Sequence, residues 1–187
     1  HYEPGIAAQA TPPVVGDAQK PDIVVILSES FFDPTIMNGY PPGTDLTPNL
    51  HRLQPHGTSG WLHVPTFGGG TIRTEFEVLT GLSLRYFPDV QFPYLQIHQK
   101  RIPGMVRLLA GDGYTTLAVH GNDPGFWNRS TAFKELGFDK FISMADFPPD
   151  DAVNDGKYMS DKSFTDELLH QLPDSGPPRF VLGISIE

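Results

Sequence analysis

The run Ile23-Val24-Val25-Ile26-Leu27 constrains this chain more than any other segment. It is too short for a typical helix and rich in β-branched side chains, so it reads as a strand buried on both faces, the kind found in parallel sheets. The residues that follow are Ser28-Glu29-Ser30. The Glu29 carboxylate therefore falls at the C-terminal end of a strand, where open α/β sheets bind ligands. About forty residues later, Gly68-Gly69-Gly70-Thr71 forms a Gly-rich loop that opens into a helix. Together the two motifs suggest a metal-bound hydroxyl nucleophile. Taken singly, each has a plain structural alternative: Glu29 caps a loop, and the glycines make a turn with Thr71 as an N-cap.

The rest of the pattern alternates strand and helix. Residues 1–20, rich in Ala, Pro and Gln without apolar period, read as a linker, and the folded part is expected over 21–187. Thr47-Pro48-Asn49-Leu50 starts a short helix running to about Leu53, with Pro at its first position. Strands are expected over Gly60 to Pro65, Tyr114 to His120, Asp139 to Ile142 and Arg179 to Ile186. Helices are expected over Thr71 to Leu79, Ile102 to Ala110 and Phe126 to Leu136. A further helix is capped by Ser160-Asp161, with Phe164, Leu168 and Leu169 on one face. This order predicts an α/β protein with a mostly parallel central sheet and helices on both faces. The last strand reaches the end of the chain at Glu187, so a covering segment is expected downstream.

Composition narrows the function. A formal charge of −9 over 187 residues argues against a broad nucleic-acid or anionic-membrane surface, so any phosphate must be met locally by a metal or a few cations. The absence of Cys removes disulfide and thiolate chemistry. Nineteen Pro and nineteen Gly imply many ordered loops. No apolar segment approaches the ~18 residues of a membrane span, and the chain starts at His1 rather than Met, as expected of a piece of a longer protein.

Three groups of side chains carry chemistry. A threonine hydroxyl needs a base or a metal to become a good nucleophile, and Thr71, beside free backbone N–H groups at a helix start, suits that role better than Thr66 or Thr74. Glu29 is a hard oxygen ligand for Mg²⁺ or Mn²⁺. In His120-Gly121-Asn122-Asp123-Pro124-Gly125-Phe126-Trp127-Asn128-Arg129, His120 ends a strand on the same sheet edge as Glu29. Arg129 offers bidentate donors to phosphate, and Trp127 offers an apolar wall for a glycerol or sugar. That segment is equally compatible with a core Trp, a surface Arg and a satisfied loop His. Asp146, Asp150, Asp151 and Asp155 read as a solvated acidic loop.

With these segments in place, the chain from about Asp22 onward resembles the lipoteichoic acid synthase and phosphoglycerol transferase branch of the alkaline phosphatase and sulfatase superfamily, specifically the N-terminal part of its catalytic domain. Ile23 to Glu29 is similar to the family's first strand with its metal-binding Glu. Thr47-Pro48-Asn49-Leu50 is similar to a segment recurring in sulfatase relatives. Gly70-Thr71 with Glu75-Phe76 resembles the segment of the nucleophilic Thr, and His120, Trp127 and Arg129 match the pocket that binds glycerol phosphate. The resemblance implies a divalent metal held by Glu29 and Thr71, a phosphatidylglycerol-type lipid donor, a phospho-threonine intermediate, and a glycan or polyglycerolphosphate acceptor. It also implies an extracytoplasmic domain of a membrane-anchored protein, and a further Asp-His metal pair beyond Glu187 without which this chain is expected to be inactive. The alternatives are a phosphatase, sulfatase or phosphoethanolamine transferase of the same superfamily, or a non-catalytic domain that binds a headgroup or glycan.

Overall fold

A computed structural model describes residues 20–29, 31–41, 43–66, 69–96 and 101–186. The expected linker, apart from Lys20, lies outside the described residues, as do Gly68 and Glu187. In chain order the elements are β1 (Ile23–Leu27), α1 (Pro48–Leu53), α2 (Ile72–Thr80), α3 (Pro93–Gln96), α4 (Met105–Gly111), β2 (Thr115–His120), α5 (Arg129–Leu136), β3 (Lys140–Ser143), β4 (Ala152–Val153), β5 (Tyr158–Met159), α6 (Asp161–His170) and β6 (Arg179–Ile184). Strands β1, β6, β2 and β3 form one sheet in that order, with every neighbouring pair parallel. Ile184 pairs in register with both Leu27 and His120. Glu29, two residues beyond Leu27, and His120 thus share the carboxyl edge of the sheet.

Helices cover both faces. Against one face pack Ile72, Phe76 and Leu79 of α2, Val106 of α4, and Phe133 and Leu136 of α5, together with Phe180, Leu182 and Ile184 of β6. The other face carries Phe164 and Leu168 of α6 over Leu117, Val119 and Val181. Helix α6 comes so close to β6 that a Cβ on Gly183 would sit 3.0 Å from Phe164 Cζ and from Leu168 Cδ2. Any larger residue there would require those side-chain tips to give by a few tenths of an ångström.

Several local expectations are corrected. Strand β1 is an edge strand, and Val24 and Ile26 on its second face are 40% and 60% exposed, so the run is not buried on both sides. Residues 60–65 form no strand, and the helix expected from Ile102 starts only at Met105. The helix expected from Phe126 is broken, because Trp127 and Asn128 are left-handed and α5 begins at Arg129. Leu169 is 64% exposed, off the buried face shared by Phe164 and Leu168. The acidic loop contains the antiparallel β4–β5 pair, and Asp151 accepts a 2.9 Å hydrogen bond from the Ser163 hydroxyl instead of being merely solvated.

The segment after Glu29 is tied down by a histidine between two acids. His51 on α1 sets Nε2 2.9 Å from Asp33 Oδ2 and Nδ1 3.0 Å from Asp45 Oδ1. Both ring nitrogens face carboxylates, so the imidazolium satisfies both, and hydrogen bonds to Asp45 and then Asp33 raise the His51 pKa. Asp33 is lowered to about 2, by the Thr35 hydroxyl first and His51 second. The clamp's contribution is therefore full below the unfolded histidine value and is lost as pH rises through the raised His51 pKa; its acid limb lies near the lowered Asp33 value. An NMR titration of the His51 ring should give a midpoint above ~6.5. A midpoint at or below that value contradicts the clamp.

Candidate active site

Thr71 stands at the N-terminus of α2, yet its side chain makes no cap hydrogen bond. Its hydroxyl instead donates to Glu29 Oε1 at 2.5 Å, across 42 residues of sequence. The other two threonines are turned toward each other, with Thr66 Oγ1 2.8 Å from Thr74 Oγ1. The parallel sheet and the Gly69-Gly70 approach to α2 thus bring the Glu29 carboxylate to Thr71.

Arg129, the first residue of α5, lies directly behind this pair with 0% exposure. Its Nη2 donates to Glu29 Oε1 at 3.1 Å and to Glu75 Oε1 at 2.5 Å, while Nε donates to Glu75 Oε2 at 3.2 Å. The fork to Glu75 is bidentate, the strong geometry for a guanidinium and a carboxylate. Nη1 donates to His120 Nε2 at 3.0 Å. Because an arginine cannot accept, His120 Nε2 must carry the lone pair, and Nδ1–H donates to the Ile184 carbonyl 3.0 Å away. The sequence places Glu29, His120, Trp127 and Arg129 near one sheet edge, and the structure gathers Glu29, Thr71, His120 and Arg129 into one hydrogen-bonded cluster. His120 stands behind Arg129 in it, with 0% exposure.

The electrostatics follow from burial. Desolvation opposes the Arg129 charge, but Glu75 and Glu29 outweigh it and hold the guanidinium above its ordinary pKa. Burial pushes the Glu75 carboxyl up, and Arg129 limits the rise. The Tyr94 hydroxyl is buried beside Glu75 without a well-formed hydrogen bond, and burial followed by the Glu75 charge keeps it protonated. Burial and then Arg129 lower His120 to about 4. A histidine depressed in the folded state stabilises the protein above its unfolded pKa, and that stability is lost as pH falls through the folded value. Acid titration from pH ~6.5 to ~4 should therefore cost wild type about 3 kcal/mol more than a His120→Gln variant, read by urea unfolding. Equal pH dependence in the two proteins would contradict the neutral tautomer.

Glu75 was not singled out as a site residue by the sequence. The available signal was its position: with Ile72, Phe76 and Leu79 it lies on the buried face of α2, where a lone carboxylate demands a cation. Trp127 is held differently. Trp127 and Asn128 both adopt φ near 60° (56° and 60°), and Asn128 Nδ2 donates to the Tyr94 carbonyl at 2.8 Å. Two consecutive non-glycine residues in this region store strain, a feature concentrated at functional sites. The turn stacks Trp127 on Phe92 with centroids 5.2 Å apart and planes 15° apart.

Glu29 and Thr71 supply two hard oxygens on one edge, the donor type that Mg²⁺ and Mn²⁺ take, and so fit part of a coordination sphere. Among the described residues no group of three or more His, Cys, Asp or Glu side chains is placed to complete one.

The parallel α/β sheet shares its fold with a protein in the alkaline phosphatase superfamily from Vibrio parahaemolyticus, which superposes with TM-score 0.66 at 24% identity over 89% of this chain and 40% of the other. Residues 21–186 match the family described as Sulfatase, and the chain belongs to that family. It is 35% identical over 168 residues to the "Putative cyclic beta-1,2-glucan modification protein" of Rhizobium meliloti (strain 1021), covering 90% of this chain and 25% of that protein. The lipoteichoic acid synthase LtaP from Listeria monocytogenes superposes with TM-score 0.75 at 24% identity, over 97% of this chain and 44% of the other. The Streptococcus pyogenes phosphoglycerol transferase GacH, solved in complex with sn-glycerol-1-phosphate, gives TM-score 0.73 at 23% identity, over 89% and 44%. The chain thus spans a quarter of the length of the rhizobial relative and less than half of each solved chain.

Proposed function

We propose that this chain is the part of a metal-dependent phosphoglycerol transferase that carries its nucleophile, moving a glycerophosphate group from a phosphatidylglycerol-type lipid to a cell-envelope glycan or polyglycerolphosphate. The observation that carries this reading is the Thr71 hydroxyl aimed at Glu29 with Arg129 directly behind. The names of LtaP, GacH and the rhizobial glucan modification protein support the same chemistry and a carbohydrate-containing acceptor. We assign residues 21–187 to the N-terminal portion of the catalytic domain. The domain would face the outside of the cytoplasmic membrane, anchored by other parts of a longer protein. No helix among the described residues is long and apolar enough to cross a membrane.

Glu29 and Thr71 would hold a divalent ion, which when bound would supply Lewis-acid stabilisation of developing negative charge. The Thr71 proton already points to Glu29 Oε1, which takes it as Oγ1 bonds to phosphorus. The P–O bond to diacylglycerol breaks, and the leaving oxygen takes a proton from solvent. Arg129, buried with both Nη2 hydrogens on Glu29 and Glu75, acts through its positive charge and by orienting Glu29, while Glu75 and His120 fix the guanidinium from behind. Trp127 lines the pocket for the glycerol group. An acceptor hydroxyl then attacks phosphorus and gives its proton to solvent, and the Thr71 oxygen leaves with the proton returned by Glu29.

The test is a donor panel with the full-length protein in Mn²⁺ or Mg²⁺: phosphatidylglycerol, phosphatidylethanolamine, an aryl phosphate and an aryl sulfate. Diacylglycerol release from phosphatidylglycerol should dominate. Faster turnover of any other donor would move the protein to another branch of the family.

A further inference from the structure

The loop that leaves β2 starts at His120 and delivers Arg129 nine residues on, so both of its ends lie in the cluster behind Thr71. Its first turn is tight: Asn122 N donates to the His120 carbonyl at 2.8 Å, a three-residue turn centred on the buried Gly121. That turn is held from outside the cluster. Met159 N on β5 donates to the Gly121 carbonyl at 2.7 Å, and Met144 N, just after β3, donates to the Asn122 carbonyl at 3.0 Å. Farther along, Asp123 Oδ1 accepts from Gly125 N at 2.7 Å and the Pro124 carbonyl accepts from Ser130 N at 3.0 Å, which closes the loop onto the start of α5. Strand β5 is itself fixed. Met159 is 2% exposed in the core beneath α6. Ser160 N donates to the Asp151 carbonyl at 3.2 Å, and Ser160 Oγ caps α6 by accepting from Ser163 N at 3.2 Å. With the Ser163 hydroxyl on the Asp151 carboxylate, these bonds fasten the β4–β5 pair to the N-terminus of α6, on the sheet face opposite α2.

We propose that Gly121 is a positioning residue, through which the backbone of β5 sets where His120 and Arg129 stand behind Glu29. The inference rests on the transferase reading above and extends it to a contact outside the cluster. The physical reason is close backbone approach, which only a residue without a side chain permits. A Cβ on Gly121 would lie 3.0 Å from Met159 Cβ and 3.6 Å from both Met159 Cγ and Met159 N. Because Met159 Cβ is bonded to the strand backbone, no change of rotamer carries it away. A methyl at position 121 must therefore push the turn off β5 by a few tenths of an ångström. The displacement reaches His120 directly, passes from its Nε2 to Arg129 Nη1, and from Arg129 Nη2 to Glu29 Oε1. Glu29 is the group that takes the Thr71 proton in the mechanism above. The aim of the cluster is thus held in part from the far face of the sheet, by a strand that contributes no side chain to the chemistry.

Two alanine variants of the full-length protein separate positioning from packing. Gly121→Ala should lower kcat for diacylglycerol release ~10-fold at unchanged donor KM, since a misplacement of less than an ångström acts on the reacting geometry. In protein labelled with ¹⁵N-histidine it should also shift the His120 ring signals away from the wild-type pattern of a protonated Nδ1 and an accepting Nε2. Met159→Ala keeps the β5 N–H and the Cβ and removes only core atoms, so it should lower the melting temperature while kcat and the His120 signals stay as in wild type. The Met159 amide of wild type should exchange its hydrogen slowly. The inference is overturned if Gly121→Ala, folded by circular dichroism, keeps wild-type kcat and His120 signals, or if Met159→Ala moves both as strongly. It is also overturned if the Met159 amide exchanges as fast as exposed loop amides, a measurement that needs no variant and holds where Gly121→Ala does not fold. A wild type that releases no diacylglycerol, with His120 signals that respond to Gly121→Ala as expected, would defeat the transferase reading alone. Intact release in wild type with unmoved kcat and signals in Gly121→Ala would defeat this positioning role alone.

Discussion

In the full-length protein Thr71→Ala is expected to reduce diacylglycerol release from phosphatidylglycerol by ~10³-fold or more while the protein stays folded, because the proposed covalent intermediate forms on this hydroxyl. The stability cost should be small. The substitution removes one hydrogen bond to Glu29, worth about 1 kcal/mol, and Glu29 Oε1 keeps its contact with Arg129 Nη2. Thr71→Ser retains the oxygen and should recover part of the rate. Thr66→Ala is the control, since its hydroxyl pairs with Thr74 and makes no contact with Glu29. Incubation of wild type with a phosphatidylglycerol donor should also leave glycerophosphate on the peptide containing Thr71, detectable by mass spectrometry under acid quench. Turnover in Thr71→Ala comparable with wild type would exclude Thr71 as the nucleophile.

The parts of this site that can be read from sequence are those set by chain direction. A β-branched run followed by Glu29, and a second strand ending at His120, must bring both residues to one edge if the strands are parallel, and the register through Ile184 does so. The stop of α2 is equally local: Gly81 follows its last residue and takes φ 71°, a left-handed conformation that commonly ends a helix. What stays hidden depends on partners distant in sequence. An N-cap and a nucleophile look alike at Thr71 until the hydroxyl is seen to leave its own helix for Glu29. The exposure of Ile26 is invisible in an apolar run, because only strand order makes β1 an edge. The break at Trp127 is missed because neither Trp127 nor Asn128 is a glycine, and the side-chain bond of Asn128 to Tyr94 supports a backbone that propensity disfavours. Glu75 goes unassigned for the same reason: its meaning is Arg129, 54 residues away.

Arg129→Ala is expected to be the most destabilising substitution at the site, by about 3–5 kcal/mol in urea unfolding. The cause is the partner it abandons. Glu75 has a side chain with 0% exposure, and without the guanidinium its carboxylate must stay uncompensated or take up a proton. His120 Nε2 would lose its donor at the same time. Glu75→Gln should cost less, about 1–3 kcal/mol, since Arg129 keeps Glu29 and the amide preserves shape and one acceptor. Replacing both residues, Arg129→Met with Glu75→Leu, should be distinctly less destabilising than the sum of the two single changes, because the pair removes its own desolvation cost when it leaves together. Additive effects would show that the fork contributes no coupling. The same variants separate stability from chemistry. Glu75→Gln keeps the Arg129 charge but loosens its aim, so its loss of transfer should appear mainly in kcat, and raising the donor concentration should not restore it. A change confined to KM would instead assign Glu75 and Arg129 to ground-state binding of the headgroup. Retention of full kcat and KM would make the cluster structural support for α2 and α5.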